Sequence, residues 1–290
     1  MIFLSQLING LQIGSIYALV ALGYSMVYGI VKLLNFAHGD IIMVGSYMLF
    51  ITSSQLGLPI WLCVVISVAF CALLGMLIEK VAYKPLRHSP KISLLITAIG
   101  VSYLLQNLAQ LIFTANPRMF PNFFPGYVNV GGGQFAVVTI VTIGVSVVLM
   151  IGLTLLVSKT KMGKAMRAVS EDSDTAQLMG INVNNTISFT FALGSALAAI
   201  ASFLYCCSYS QIEPTMGSML GIKAFVAAVL GGIGSLPGAM IGGIIIGIVE
   251  SLTKAYISSQ LADAVVFGIL IVVLLIKPAG LLGKAIKEKV

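Results

Sequence analysis

Charged residues are absent from 1 to 31, 41 to 78, 92 to 117, 119 to 158, 175 to 212 and 224 to 249, and apolar side chains fill these stretches. A hydrocarbon core about 30 Å thick needs roughly 20 apolar residues of helix at about 1.5 Å each, so every stretch is long enough to span. The longest hold a span plus a neutral loop, or two spans. A shorter run at 264–276 becomes a helix of useful length if it begins near Leu261. Nine spans follow, at 6–30, 33–55, 58–79, 92–114, 135–158, 186–210, 219–235, 237–257 and 261–283. The seventh is short and carries Gly221, Gly231, Gly232 and Gly234, with Pro237 just behind, so a broken or re-entrant helix is expected near 219–238. If it fails to cross, the count falls to eight. The expected fold class is therefore all-α, a polytopic integral membrane bundle of eight or nine spans, with 1–290 forming one membrane domain.

Composition excludes the main alternatives. Of 290 residues, 59% are hydrophobic and 9% charged, where a soluble domain has roughly half and a quarter. The surface of a water-soluble chain this size could not hide that excess. A mean hydropathy of +1.06 agrees, and disorder, collagen and disulfide scaffolds are excluded as well. Cys63, Cys71, Cys206 and Cys207 lie inside apolar runs and are read as free thiols.

The formal charge of +7 falls largely into three clusters: Lys80, Lys84, Arg87, Lys91; Lys159, Lys161, Lys164, Arg167; and Lys277, Lys284, Lys287, Lys289. Clusters between and after spans follow the positive-inside pattern, which assigns all three to the cytoplasm. Parity then sets the N-terminus and the 115–134 loop outside and the C-terminus inside. No aromatic interleaving accompanies the basic residues, so the partner they imply is a lipid bilayer and not nucleic acid. The N-terminus lacks a basic leader and cleavage site and reads as a retained first helix.

The neutral 115–134 loop, with Asn116, Pro117, Pro121, Pro125 and glycines 131–133, is turn-rich. Residues 159–185 have helical composition instead. Asp172 or Ser173 can cap a short helix near 174–179, and Gly180 suits its end. A basic front, the acids Glu171, Asp172 and Asp174, and that helix make either a docking element or an ordinary solvated loop. No enzyme emerges: a P-loop is missing, since Ser158 stands where its first Gly belongs ahead of Gly163-Lys164, and His38 and His88 are too far apart for a metal centre.

Gly10 and Gly14, Gly234, Gly238 and Gly242, and Gly243 and Gly247 recur at four-residue spacing, which lets helix backbones approach closely. The 231–243 stretch is read as packing or as part of a translocation path. Asn35-Phe36-Ala37-His38-Gly39-Asp40 is polar within an apolar setting, so it is functional or caps the second span at the interface. Tyr24 and Tyr28, one turn apart, resemble an interfacial belt pair. Glu250 and Lys254 are spaced for an ion pair, and Glu79 stands at a span end where water is expected to reach it.

Three passages in order, Gly14-Ser15-Ile16-Tyr17-Ala18-Leu19 leading to Gly23-Tyr24-Ser25-Met26-Val27-Tyr28-Gly29-Ile30, then Asn35 to Asp40, then AAVLGGIGSLPGAMIGG at 227–243, resemble the membrane permease of branched-chain amino-acid ABC importers of the Leu/Ile/Val type. The resemblance covers nearly the whole chain. It implies a non-enzymatic subunit of the bacterial inner membrane, paired with a homologous second permease, two cytoplasmic ATPases and a periplasmic substrate-binding protein. No cofactor is then expected in this chain, ATP and Mg being bound by the ATPases. Relatives for urea or short amides, and in another class an ion-gradient-driven secondary transporter using Asp40 and Glu250, are the alternatives. The resemblance also makes 159–185 a coupling loop, with Arg167, Glu171, Asp172, Ala176 and Gly180 toward the ATPase. Tyr24, Tyr28, Asn35, His38, Asp40, Gly231, Gly232 and Gly234 become candidates for the translocation path.

Overall fold

A computed structural model describes residues 2–32, 34–87, 89–130 and 133–283. His88, the glycines at 131 and 132, and Lys284, Lys287 and Lys289 of the third basic cluster lie outside the described residues. Each of the nine expected spans contains a helix: α1 (Ile2–Val31), α2 (His38–Phe50), α3 (Ile60–Ile78), α4 (Lys91–Phe113), α5 (Val137–Lys159), α8 (Val183–Tyr209), α9 (Met216–Gly231), α10 (Leu236–Tyr256) and α11 (Ala262–Ile276). Two further helices, α6 (Lys161–Glu171) and α7 (Ser173–Leu178), occupy the 159–185 loop. Six of the helical segments are long and apolar enough to cross a membrane unaided. A π-helical turn, Ile51–Gln55, prolongs α2, and another, Glu79–Tyr83, prolongs α3. The 115–134 loop is not wholly irregular: β2 (Tyr127–Val130) and β3 (Gly133–Ala136) pair antiparallel, and β1 (Arg118–Met119) pairs with β4 (Gln211–Ile212) after α8.

Small residues decide which helices sit in the middle. Along α10, one strip of glycines meets α1: Gly10 and Gly14 stand so close to Ile248 and Ile244 that a Cβ on either would lie 2.7–2.8 Å from the opposing Cα. The adjacent strip, Gly238 and Gly242, abuts Gly231 and Ala227 of α9. With no hydrophobic drive available in lipid, such backbone approach supplies the packing. On the far side of α1, Gly45, Ser67, Cys71, Gly75, Ser195 and Ser202 join α2, α3 and α8; the Ser67 hydroxyl donates to the Gly45 carbonyl at 3.0 Å. All four cysteines are buried free thiols. The outer helices turn large apolar side chains outward, as at Trp61, Leu73, Ile96, Leu111, Val148 and Leu275. That is a lipid-facing surface, and the chain is a multi-pass membrane protein.

Consecutive spans alternate in direction. At one end, Gly29 lies beside Gly234, the backbone N–H groups of Leu281 and Leu282 donate to the Leu230 and Gly231 carbonyls, and Arg87 bonds Asn184 at the start of α8. At the other, Gln12 joins Ser208 and Thr139, and Ser251 bonds Gln6. The described parts of the three basic clusters share the first end. The seventh expected span holds α9, which runs unbroken toward the basic end from a start beside Gly39 and is too short to be counted among the six helices able to span; the interruption falls after it, where Gly232 takes φ +107° and the chain turns into α10. The short helices α2 and α9 meet at their beginnings. Gly39 and Gly217 face each other there, and a Cβ on Gly39 would also stand 3.0 Å from the Gly221 Cα.

Candidate functional site

The polar passage Asn35 to Asp40 lies deep in the bundle. The His38 ring packs against Gly23, eight positions before α1 ends at Val31, which is roughly 12 Å of helix rise. The chain thus re-enters after Lys32, and α2 begins near mid-depth. The interface-cap reading of this passage is therefore wrong: Asn35, His38 and Asp40 are at most 2% exposed. Gly23 and Gly194 leave the slot that the imidazole fills, and Tyr24 meets that ring edge-on at 4.8 Å between centroids. Asn35 accepts a hydrogen bond from the Tyr83 hydroxyl at 2.9 Å.

Asp40 opens on a cavity. The space, about 290 Å³, lies among Tyr24 of α1, Phe36 and Asp40 at the start of α2, Ile99, Ser102, Tyr103 and Gln106 of α4, and Ser218, Gly221, Ile222 and Phe225 of α9. The Gln106 amide donates to Asp40 Oδ1 at 2.9 Å and also approaches the Ser218 and Ser102 hydroxyls at 2.9 and 3.2 Å. Phe225 stands edge-on to Tyr24, with Phe36 tilted against it. One wall is thus polar and one aromatic, and the cavity reaches the outer face of the bundle at Tyr103 and Ile222. On that face Tyr103 is 62% exposed and Ser102 and Gln106 are half-buried, an unusual polarity for a surface otherwise fit for lipid.

Tyr24 therefore lines the cavity, and the belt reading fails for it; Tyr28 sits half-buried one turn on. His38 and Asn35 support the wall from behind. Gly231, Gly232 and Gly234 are elsewhere, in the turn from α9 to α10, where Gly231 packs on Gly238 and Gly232 on Gly283.

At the basic end, α6 and α7 form a compact loop. The Asp172 carboxylate caps α7, accepting from the backbone N–H groups of Asp174 and Thr175 at 2.9 and 3.1 Å and from the Thr175 hydroxyl at 2.8 Å. Thr175, through its backbone N–H and then its hydroxyl, and the Asp174 N–H hold this carboxyl below the ordinary carboxylate range. Gly180, at φ +83°, closes the helix, with its N–H donating to the Gln177 carbonyl and that of Ile181 to the Ala176 carbonyl. Ala176 is buried against the bundle, Arg167 bonds the Ser158 carbonyl at 3.3 Å, and Glu171 is exposed. Leu178 and Met179, 87% and 79% exposed, project from the tip. Beneath them a cleft of about 780 Å³ separates α7 from the ends of α1 and Arg87.

Residues 6–275 match the model of the branched-chain amino acid transport system permease component. The chain belongs to that permease family. Among its relatives are the high-affinity branched-chain amino acid transport system permease proteins BraD of Pseudomonas aeruginosa and LivH of Escherichia coli, 43% and 44% identical over 99% of this chain and 98% of each relative. A protein from Methanocaldococcus jannaschii described as a probable branched-chain amino acid transport permease is 33% identical over 93% of this chain and 89% of its own. The PsaBC complex of Streptococcus pneumoniae, solved with a Fab, shares the fold: TM-score 0.51, 15% identity, covering 96% of this chain and 93% of the other.

Two buried charge clusters brace the permease, and the sequence disclosed neither in full. Glu79 is not water-exposed; it is 1% exposed, ion-paired with Arg87, and accepts from the Ser188 hydroxyl at 2.7 Å. Glu250 does pair with Lys254, at 2.6 Å, but it also accepts from Lys223 at 2.9 Å and from Tyr17 at 2.7 Å, and Lys223 reaches Asp263 at 2.6 Å. Lys223 lies inside a span, which alone marked it as a residue in need of a partner.

Proposed function

We propose that this permease moves branched-chain amino acids (Leu, Ile, Val) across the bacterial inner membrane as the membrane subunit of an ATP-driven importer. It pairs with a homologous second permease, receives substrate from a soluble periplasmic binding protein, and is powered by two cytoplasmic ATPases that hold the ATP and Mg; this chain carries no cofactor of its own. The basic end faces the cytoplasm by the positive-inside pattern, so the N-terminus is outside and the C-terminus inside. The observation that carries the reading is the cavity at mid-depth, which reaches the outer face of the bundle and is polar on one wall and apolar on the other. An amphiphilic zwitterion needs both surfaces, and a second permease set against the open side would enclose the path. The exposed Leu178 and Met179 beside the rigidly capped α7 support the 159–185 loop as the docking element for an ATPase. ATP-driven closure would then reach the spans through Ala176 and the packed face of α6, and alternate the access of the cavity.

Labelled leucine uptake into vesicles holding the whole complex tests this, with ATP present or absent and ion gradients collapsed. Uptake that requires both ATP and the binding protein, and is competed by isoleucine and valine but not by urea, is expected. Uptake by the permease alone under an ion gradient would refute the proposal. Leu178→Asp with Met179→Asp should abolish uptake while membrane insertion is retained; normal uptake would remove the docking assignment. Charge reversal at Asp172 is the poorer probe, because it also removes the cap of α7.

A further inference from the structure

Among the described residues three carboxylates are buried in the bundle, Asp40, Glu79 and Glu250, and they differ in one respect. Glu79 has Arg87, and Glu250 has Lys223 and Lys254. Asp40 is as deeply buried, at 1% exposure, yet among the described residues no Lys, Arg or His lies within ion-pair distance of it. Its support is neutral, an amide and the hydroxyls that amide meets. An ionised carboxylate in such a setting is expensive unless a cation comes to it. Asp40 borders a cavity that opens to the outer face of the bundle.

We infer that Asp40 is the counter-ion for the ammonium group of the transported amino acid. This rests on the proposed transport function and deepens it. The ammonium donates to the Asp40 carboxylate, beside the Ser102 and Ser218 hydroxyls that line the same cavity. The aliphatic side chain lies against Phe36, Phe225 and Ile222 on the opposite wall. Gln106 is a positioning residue: bridging Asp40, Ser102 and Ser218, it holds those acceptors together. The permease would thus discriminate for a primary ammonium independently of the binding protein.

Two variants of the reconstituted complex test the inference. Asp40→Asn removes the charge, and Gln106→Lys supplies a resident cation that competes for the same carboxylate. Both should lower leucine uptake by about tenfold or more, while the binding protein still stimulates ATP hydrolysis. Wild-type uptake by either variant would overturn the inference. Should Asp40→Asn fail to assemble, Gln106→Lys decides, because it pairs the carboxylate and keeps the bundle neutral. A second readout needs no transport. Millimolar 3-methylbutylamine, but not 4-methylpentanoate, should raise the melting temperature of the wild-type complex without binding protein, and should leave that of Asp40→Asn unmoved. Equal shifts with both compounds, or none with the amine, would refute ammonium recognition. A wild-type complex that moves no branched-chain amino acid defeats the transport reading, and the melting shift still decides the role of Asp40.

Discussion

Replacing Gly14 by Ala tests the packing of α1 on α10 most directly. A Cβ at Gly14 would stand 2.8 Å from the Ile244 Cα and 3.0 Å from the carbonyl oxygens of Gly243 and Ile244. Ordinary carbon contact needs about 3.5–4.0 Å, so the helices must part by roughly 1 Å. All three neighbours are backbone, so no rotamer change relieves the clash. Overpacking of this kind costs about 1–3 kcal/mol, against about 1 kcal/mol that Ala returns through helix propensity. Gly152 in α5 is the control, because nothing lies within 4 Å of a Cβ there. Gly152→Ala should be neutral or slightly stabilising, leaving a gap between the two variants of about 1–3 kcal/mol. Reversible unfolding of the purified permease in mixed detergent micelles, followed by circular dichroism, measures it. Equal stabilities would refute close backbone approach as the basis of this interface.

Glu250→Gln should destabilise the permease by about 3 kcal/mol, the low end for breaking a buried ion pair, since Lys223 keeps Asp263. Adding Lys223→Met should recover part of that loss in the same unfolding measurement, and strictly additive losses would count against the coupling. The lowered pKa of the Asp172 carboxyl gives α7 a pH dependence. The cap is fully present above the ordinary carboxylate value, near 4, and is lost as pH falls through the lower folded value. Amide exchange at Asp174 and Thr175, corrected for intrinsic rate, should therefore accelerate only in that acid range; Asp172→Asn should remove the dependence.

Local signals were strong wherever one residue type has one physical use. Apolar runs located a helix in each expected span, six of the helical segments being long and apolar enough to cross a membrane, and Asp172 and Gly180 bounded α7 because a short-range acceptor and a left-handed glycine act on their own neighbours. Partnerships across the chain were not legible. Glu79 beside Lys80 looked wet, but its partners, Arg87 and Ser188, depend on how the turn after α3 meets α8. The Glu250 spacing revealed Lys254 and hid Lys223, which comes from another helix. Gly234 carried the same four-residue signal as Gly10 and Gly14, with Gly231 and Gly232 beside it; only the tertiary structure separates a packed turn from a path. Gln106 and Ser102, which complete the cavity, gave no signal beyond being polar on an apolar helix.

The meeting of α2 and α9 at their first turns has a bearing on how the chain enters the bilayer. Thirteen residues of α2 rise only about 20 Å, and the peptide groups just before it lie within the bundle in no helix. Lipid cannot satisfy those groups, so α2 has no stable place until the elements around it exist. The Gly39 backbone docks on Gly217, which is synthesised three-quarters of the way along the chain. The early spans therefore do not complete this centre until a late one is present. Assembly of the polar centre is an event of the completed polypeptide, and the cavity comes into being only after most of its walls are already in the membrane.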